Sequence, residues 1–199
     1  LLQQHYRLSE RETEVMELIA RGNRRPTYGA DLSAGILDFD IHGELAYSHG
    51  SNQAHYGAGG LEDRSKRDTF NWVAGLSYEH PYGDNDSFSV TLEYFRNGDG
   101  YAKSSDYVFP IAAGTYTPFY LSEQYAMLML YLPNPGSWNK TTFSLFNIYD
   151  VSDRSALTKV NAAFLLMQDL NFYVGASYHY GKKDGELRLL GSRYDVSTG

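Results

Sequence analysis

Apolar and polar positions alternate along most of this chain with the period of two that belongs to extended strands. TFNWVAGLSYEH, residues 69–80, is the clearest case. Phe70, Trp72, Ala74, Leu76 and Tyr78 form one row, and Asn71, Val73, Gly75, Ser77 and Glu79 form the other. After the PYGDND turn the pattern returns, with Phe88, Val90, Leu92 and Tyr94 against Ser89, Thr91 and Glu93. The two stretches predict an antiparallel hairpin. Residues 28–50 predict a second one. There Ala30, Leu32, Ala34 and Ile36 oppose Asp31 and Ser33, a tight turn follows at Leu37 to Asp40, and Ile41, Leu45 and Tyr47 then oppose Asp40, His42, Glu44 and Ser48.

The rhythm continues to the end of the chain. KTTFSLFNIYD, ALTKVNAAF and NFYVGASYHYG each read as strands, and ELRLLG begins one more, with Leu187 and Leu189 opposite Glu186 and Arg188. LSEQYAMLMLYLP, residues 121–133, is apolar on both faces and reads as a strand with a helix as the competing assignment. Residues 51–68 carry no period and read as a loop, whereas residues 101–118 read as a partly structured connection. The result is about nine strand segments after residue 27, joined alternately by short and longer connections.

Composition changes this picture in one respect. The chain has 18 Tyr, 10 Phe and 2 Trp, and rings that are apolar at one end and polar at the other suit a boundary between a dry and a wet medium. A net charge of −7 argues against nonspecific binding to a phosphate backbone. The absence of cysteine excludes disulfides and thiolate metal sites. No run approaches the roughly 20 apolar residues of a spanning helix, which leaves spanning strands open.

WVAGLSYEH, SVTLEYFRNGDGY, NFYVGASYHYG and ELRLL, read together, resemble the outer-membrane porin-type β-barrels of Gram-negative bacteria, and the likeness runs over about residues 27–191. The resemblance implies an all-β fold, an antiparallel transmembrane β-barrel with about 10 visible strands, by itself or as part of a larger even-stranded one. Residues 27–199 would form the barrel, and residues 1–26 an N-terminal strand, plug or inward helix. Asp31, Asp40, His42, Glu44, Glu79, Glu93, Lys159, His179, Glu186 and Arg188 would face a lumen. Phe70, Trp72, Leu76, Tyr78, Phe88, Leu92, Tyr94, Phe172, Tyr178 and Tyr180 would face lipid or form its aromatic girdle. The implied function is passive diffusion of small hydrophilic solutes or ions with a mild cation preference. The implied place is the bacterial outer membrane, with lipid or lipopolysaccharide around the barrel and a homo-oligomer or protein partner as a further expectation. The chain departs from the pattern by ending SRYDVSTG, without the customary terminal aromatic strand.

Residues 8–22 carry a second likeness, to the opening helices of LuxR-type helix-turn-helix domains, through Leu8, Ser9, Arg11, Glu12, Glu14, Val15, Leu18, Ile19, Ala20 and Gly22. The match stops where a recognition helix should begin. NRRPTYGADLSAGI follows, with Pro26 and no second amphipathic helix, so the likeness is coincidental and no nucleic-acid partner is expected.

Catalytic chemistry has little to stand on. There is no phosphate loop, zinc-protease motif or nucleophile elbow. His42 and Glu44 share a strand face but supply only two potential ligands, and RNGDG, residues 96–100, lacks the ligand spacing of a calcium loop. No cofactor, metal or catalytic residue is assigned, and the chain is expected not to be an enzyme. Two alternatives to a channel stand beside it. One is a non-conducting barrel that sheathes a partner in the outer membrane. The other is a soluble β-rich binding module in which Trp72, Leu76, Leu92 and Tyr178 form part of a core.

Overall fold

The computed structural model describes residues 27–51, 54–57, 60, 62–63, 67–82, 86–167, 170–189 and 194–198. Nine strands form one antiparallel sheet in the order β1-β2-β5-β6-β7-β8-β9-β10-β11. They are β1 (Thr27–Ile36), β2 (Phe39–Ser51), β5 (Arg67–Tyr82), β6 (Asp86–Arg96), β7 (Gln124–Pro133), β8 (Thr141–Asp150), β9 (Ser155–Met167), β10 (Leu170–Gly181) and β11 (Tyr194–Thr198). Two short strands, β3 (His55–Tyr56) and β4 (Glu62–Asp63), pair with each other inside the stretch read from sequence as a loop. A single 3₁₀ turn (Ser104–Asp106), helix α1 (Val108–Ala113) and helix α2 (Glu186–Leu189) complete the described elements.

Short turns close one end of the sheet. The β1–β2 turn is two residues, Leu37 and Asp38, and sets Ile36 opposite Phe39. The connections after β2, β6 and β10, at the other end, are longer. Register then fixes the faces, because directly opposed residues in an antiparallel ladder share a side. Leu45 pairs with Trp72, Leu76 with Leu92, Leu92 with Leu128, and Tyr178 with Thr158, so one apolar face runs across the sheet. The other face is polar at the β1 side, where Ser33, His42, Gly75 and Glu93 stand in one cross-strand row. Toward β8 and β9 that row continues as Met127, Ile148 and Leu157, which explains why residues 121–133 are apolar on both sides.

Among the described residues, β1 is paired only with β2 and β11 only with β10. The sheet therefore has two free edges. This corrects the closed transmembrane barrel expected from sequence: the fold is an open all-β antiparallel sheet. Inside a bilayer an open edge would leave a row of N–H and C=O groups without partners in hydrocarbon. The inferences that rested on closure are corrected with it, namely the porin-type resemblance, the channel for solutes or ions, the outer-membrane localisation, the lipid or lipopolysaccharide partner, and the partner-sheathing barrel. No helix among the described residues is long and apolar enough to cross a membrane.

A further correction concerns ELRLLG. Glu186–Leu189 is a short helix, and its consecutive residues Glu186 and Leu187 are both buried, which a strand with faces of opposite character could not arrange. SRYDVSTG, in turn, contributes β11. Residues 1–26, read as a strand, plug or inward helix and carrying the helix-turn-helix likeness, lie outside the described residues.

Candidate functional site at the loop end of the sheet

The most fully buried side chains lie where the long connections meet the ends of β7, β8, β9 and β10. Tyr107, Ser122, Asp150, Ser155, Glu186 and Leu187 have essentially no solvent contact, and Asp153 is 2% exposed. The connection after β6 reaches this place because RNGDG turns the chain tightly. Asn97 is buried, and its side-chain amide donates to the carbonyls of Tyr120 (2.8 Å) and Ser122 (3.2 Å). Tyr101 then bridges Ser122 in parallel, and Tyr101, Tyr107 and Leu121 pack as a small core with Ile111 and Tyr116 against it.

Glu186 is the hub. Its Oε1 accepts the Leu121 N–H at 3.2 Å, and its Oε2 accepts the Ser122 N–H at 3.3 Å and the Tyr125 hydroxyl. Its own N–H donates to Asp153 Oδ2 at 2.6 Å, and the next N–H, of Leu187, donates to Ser155 Oγ at 3.2 Å. The Leu187 carbonyl meets His179 Nδ1; a carbonyl can only accept, so Nδ1 carries the proton. Asp150 Oδ1 accepts the Ser122 hydroxyl at 2.6 Å and the N–H groups of Ser152 and Asp153 at 3.0 and 3.1 Å. Its second oxygen, like the Tyr107 hydroxyl, is buried without a hydrogen-bond partner.

Three carboxyl groups thus share a dry interior with two tyrosines and two serines. Burial pushes the Asp150 carboxyl up to about 8, helped by the neighbouring Asp153 carboxyl. Burial also raises Glu186, which accepts three hydrogen bonds that partly offset it. The Tyr125 hydroxyl is raised by burial and then by the Glu186 charge, and that of Tyr107 is raised chiefly by burial. Such a cluster holds protons and ties segments together. It offers no exposed nucleophile, since Ser122 is closed off and bonded to Asp150 while His179 bonds Leu187. Among the described residues no three His, Asp or Glu side chains are arranged to hold a metal ion.

The residues singled out from sequence distribute differently. Asp31, Asp40, His42, Glu44, Glu79, Glu93, Lys159 and His179 all lie on one face of the sheet by register. Only His42 and Glu93 of that set are brought into contact, with Nε2 and Oε1 3.0 Å apart, and both are half-buried. Glu44, paired with His42 in the sequence reading, is exposed and takes no part. Glu186 leaves the set for the buried cluster, while Arg188 turns outward and donates to the Gly181 carbonyl at 2.7 Å. Phe70, Trp72, Leu76, Tyr78, Phe88, Leu92, Tyr94, Phe172, Tyr178 and Tyr180 share the opposite face, where Leu76, Leu92 and Tyr178 are exposed instead of lying in the core expected of a binding module. Sequence reasoning missed Ser122, Tyr125, Asp150 and Asp153. The one local signal was a carboxylate in each of two turn-like stretches, and nothing in either points to the other. Compared with family models, curated proteins and solved structures, the chain matches none.

Proposed function

We propose that this chain is a β-rich binding module, with a binding rather than a catalytic role, whose recognition surface is the apolar face of the sheet together with its free edge. One observation carries the reading: the apolar face stays uncovered out to the edge strand β1. Leu32 is 71% exposed, Leu92 49% and Phe70 47%. Apolar surface left open on this extent marks a place where another molecule binds. The edge narrows the class of partner, because unpaired N–H and C=O groups are matched by another polypeptide backbone. The partner is therefore a protein segment that supplies both an extended strand and apolar side chains.

An anilinonaphthalene sulfonate dye tests whether this face is open for binding. Dye fluorescence is expected to rise severalfold on adding the folded chain, and to rise much less with the Leu76→Thr, Leu92→Thr double variant, which removes one cross-strand pair from the middle of the face. Near-ultraviolet circular dichroism establishes that both proteins are folded. A folded chain that leaves the dye dark, or a double variant that matches the parent, overturns the reading.

A further inference from the structure

The β1 edge is chemically self-complementary. All ten of its residues are exposed, and it is the long edge of the sheet, since β11 has five residues. A two-residue turn makes Ile36 and Phe39 a hydrogen-bonded pair, so along the unbroken β1–β2 register the even-numbered residues bond to β2. The odd-numbered residues, Asp31 and Ser33 among them, then aim their N–H and C=O groups outward. An incoming antiparallel strand keeps the apolar face continuous only if even residues meet even residues.

We propose that a second copy of this chain occupies that edge, its β1 pairing antiparallel with β1 about a two-fold axis at Leu32, so that the two sheets become one. This rests on reading the free edge as a polypeptide-binding surface. Two registers preserve the faces with the longest overlap. One is centred on Asp31 and sets that carboxylate opposite its own copy, which opposed like charges disfavour. The other is centred on Leu32 and sets Leu32 opposite Leu32, Tyr28 opposite Ile36, Ala30 opposite Ala34, and Asp31 opposite Ser33. The second has no like-charged pair, and its odd residues exchange about eight backbone hydrogen bonds. The axis stands perpendicular to the sheet, so both apolar faces lie on the same side and merge.

Because the natural sequence has no cysteine, a single introduced thiol reports the register. In a non-hydrogen-bonded antiparallel pair the opposed Cα atoms are about 4.5 Å apart, within disulfide reach. Leu32→Cys is expected to oxidise to a covalent dimer, whereas Ala30→Cys, whose copy lies four residues along the partner strand, is expected not to. In sedimentation equilibrium the unmodified full chain should approach twice its 22.5 kDa mass as concentration rises. Ser33→Pro removes an outward N–H without touching the bonds to β2, a placement that an edge strand tolerates. It should sediment as a single chain with an unchanged circular dichroism spectrum. A chain that stays at 22.5 kDa across the concentration range overturns the proposal, as does equal cross-linking at positions 30 and 32. Either result would leave dye binding by the apolar face as a separate measurement, so failure of the dimer and failure of the binding-module reading are told apart.

Discussion

Gly75 and Gly100 meet obstacles of different kinds at the same distance and should respond differently. A Cβ on Gly75 would lie 2.1 Å from His42 Nε2, and one on Gly100 would lie 2.1 Å from the Ser122 carbonyl oxygen. The His42 ring is the end of a side chain and can swing away, giving up its contact with Glu93. The Ser122 backbone cannot move, because its N–H is held by Tyr125 and Glu186 and its carbonyl by Asn97. Gly100→Ala is therefore expected to cost about 2–3 kcal/mol in urea unfolding, and Gly75→Ala less than about 1 kcal/mol. Leu37 gives a prediction of opposite sign. It sits in the β1–β2 turn at φ 57° and is 95% exposed, so its side chain contributes no packing while its backbone is held where branched residues are strained. Leu37→Gly should raise stability by about 1 kcal/mol, read as a higher unfolding midpoint.

Strands were legible in this chain because period two is a local signal: β5, β6 and β10 show it within ten or so residues. The short helix α2 was not, because Leu187 and Leu189 repeat with the period of a strand, and burial of Glu186 beside Leu187 is a tertiary fact. The carboxyl cluster was less legible still. Tyr125 and Glu186 are 61 residues apart, and only the fold makes them partners. Its chemistry nevertheless makes a prediction. Asp150 titrates near pH 8 when folded and near pH 4 when unfolded, so between those values the folded chain binds the extra proton. Its contribution to stability is then complete below about pH 4, declines as pH rises, and is lost once pH passes about 8, with a slope of at most about 1.4 kcal/mol per pH unit. Asp150→Asn keeps an acceptor for Ser122 and the two N–H groups but cannot ionise. Unfolding measured at pH 5, 7 and 9 should show a smaller decline for the variant, and at pH 9 the variant should be the more stable protein.

Closure is where sequence and structure part. Alternating rows of Leu, Tyr and Phe against Ser, Asn and Glu describe each strand equally well in a barrel or an open sheet, because what differs is whether the first strand meets the last. No residue in β1 or β11 records that by itself, and the answer appears only in the pairing order. The open edge also sets how two copies should respond to salt. Each chain carries a net charge of −7, and the Leu32-centred register places the two Asp31 carboxylates as diagonal neighbours about 7–8 Å apart. Both effects oppose association, and both are screened as ionic strength rises, since the Debye length shortens from about 30 Å at 0.01 M to about 8 Å at 0.15 M. The dimer should therefore tighten with added salt, and Asp31→Asn should tighten it roughly two- to threefold at low salt and hardly at all at high salt. Sedimentation equilibrium of both proteins at the two ionic strengths reads this directly. If salt instead drives the copies apart, contacts between opposite charges rather than paired backbones and apolar side chains hold them together.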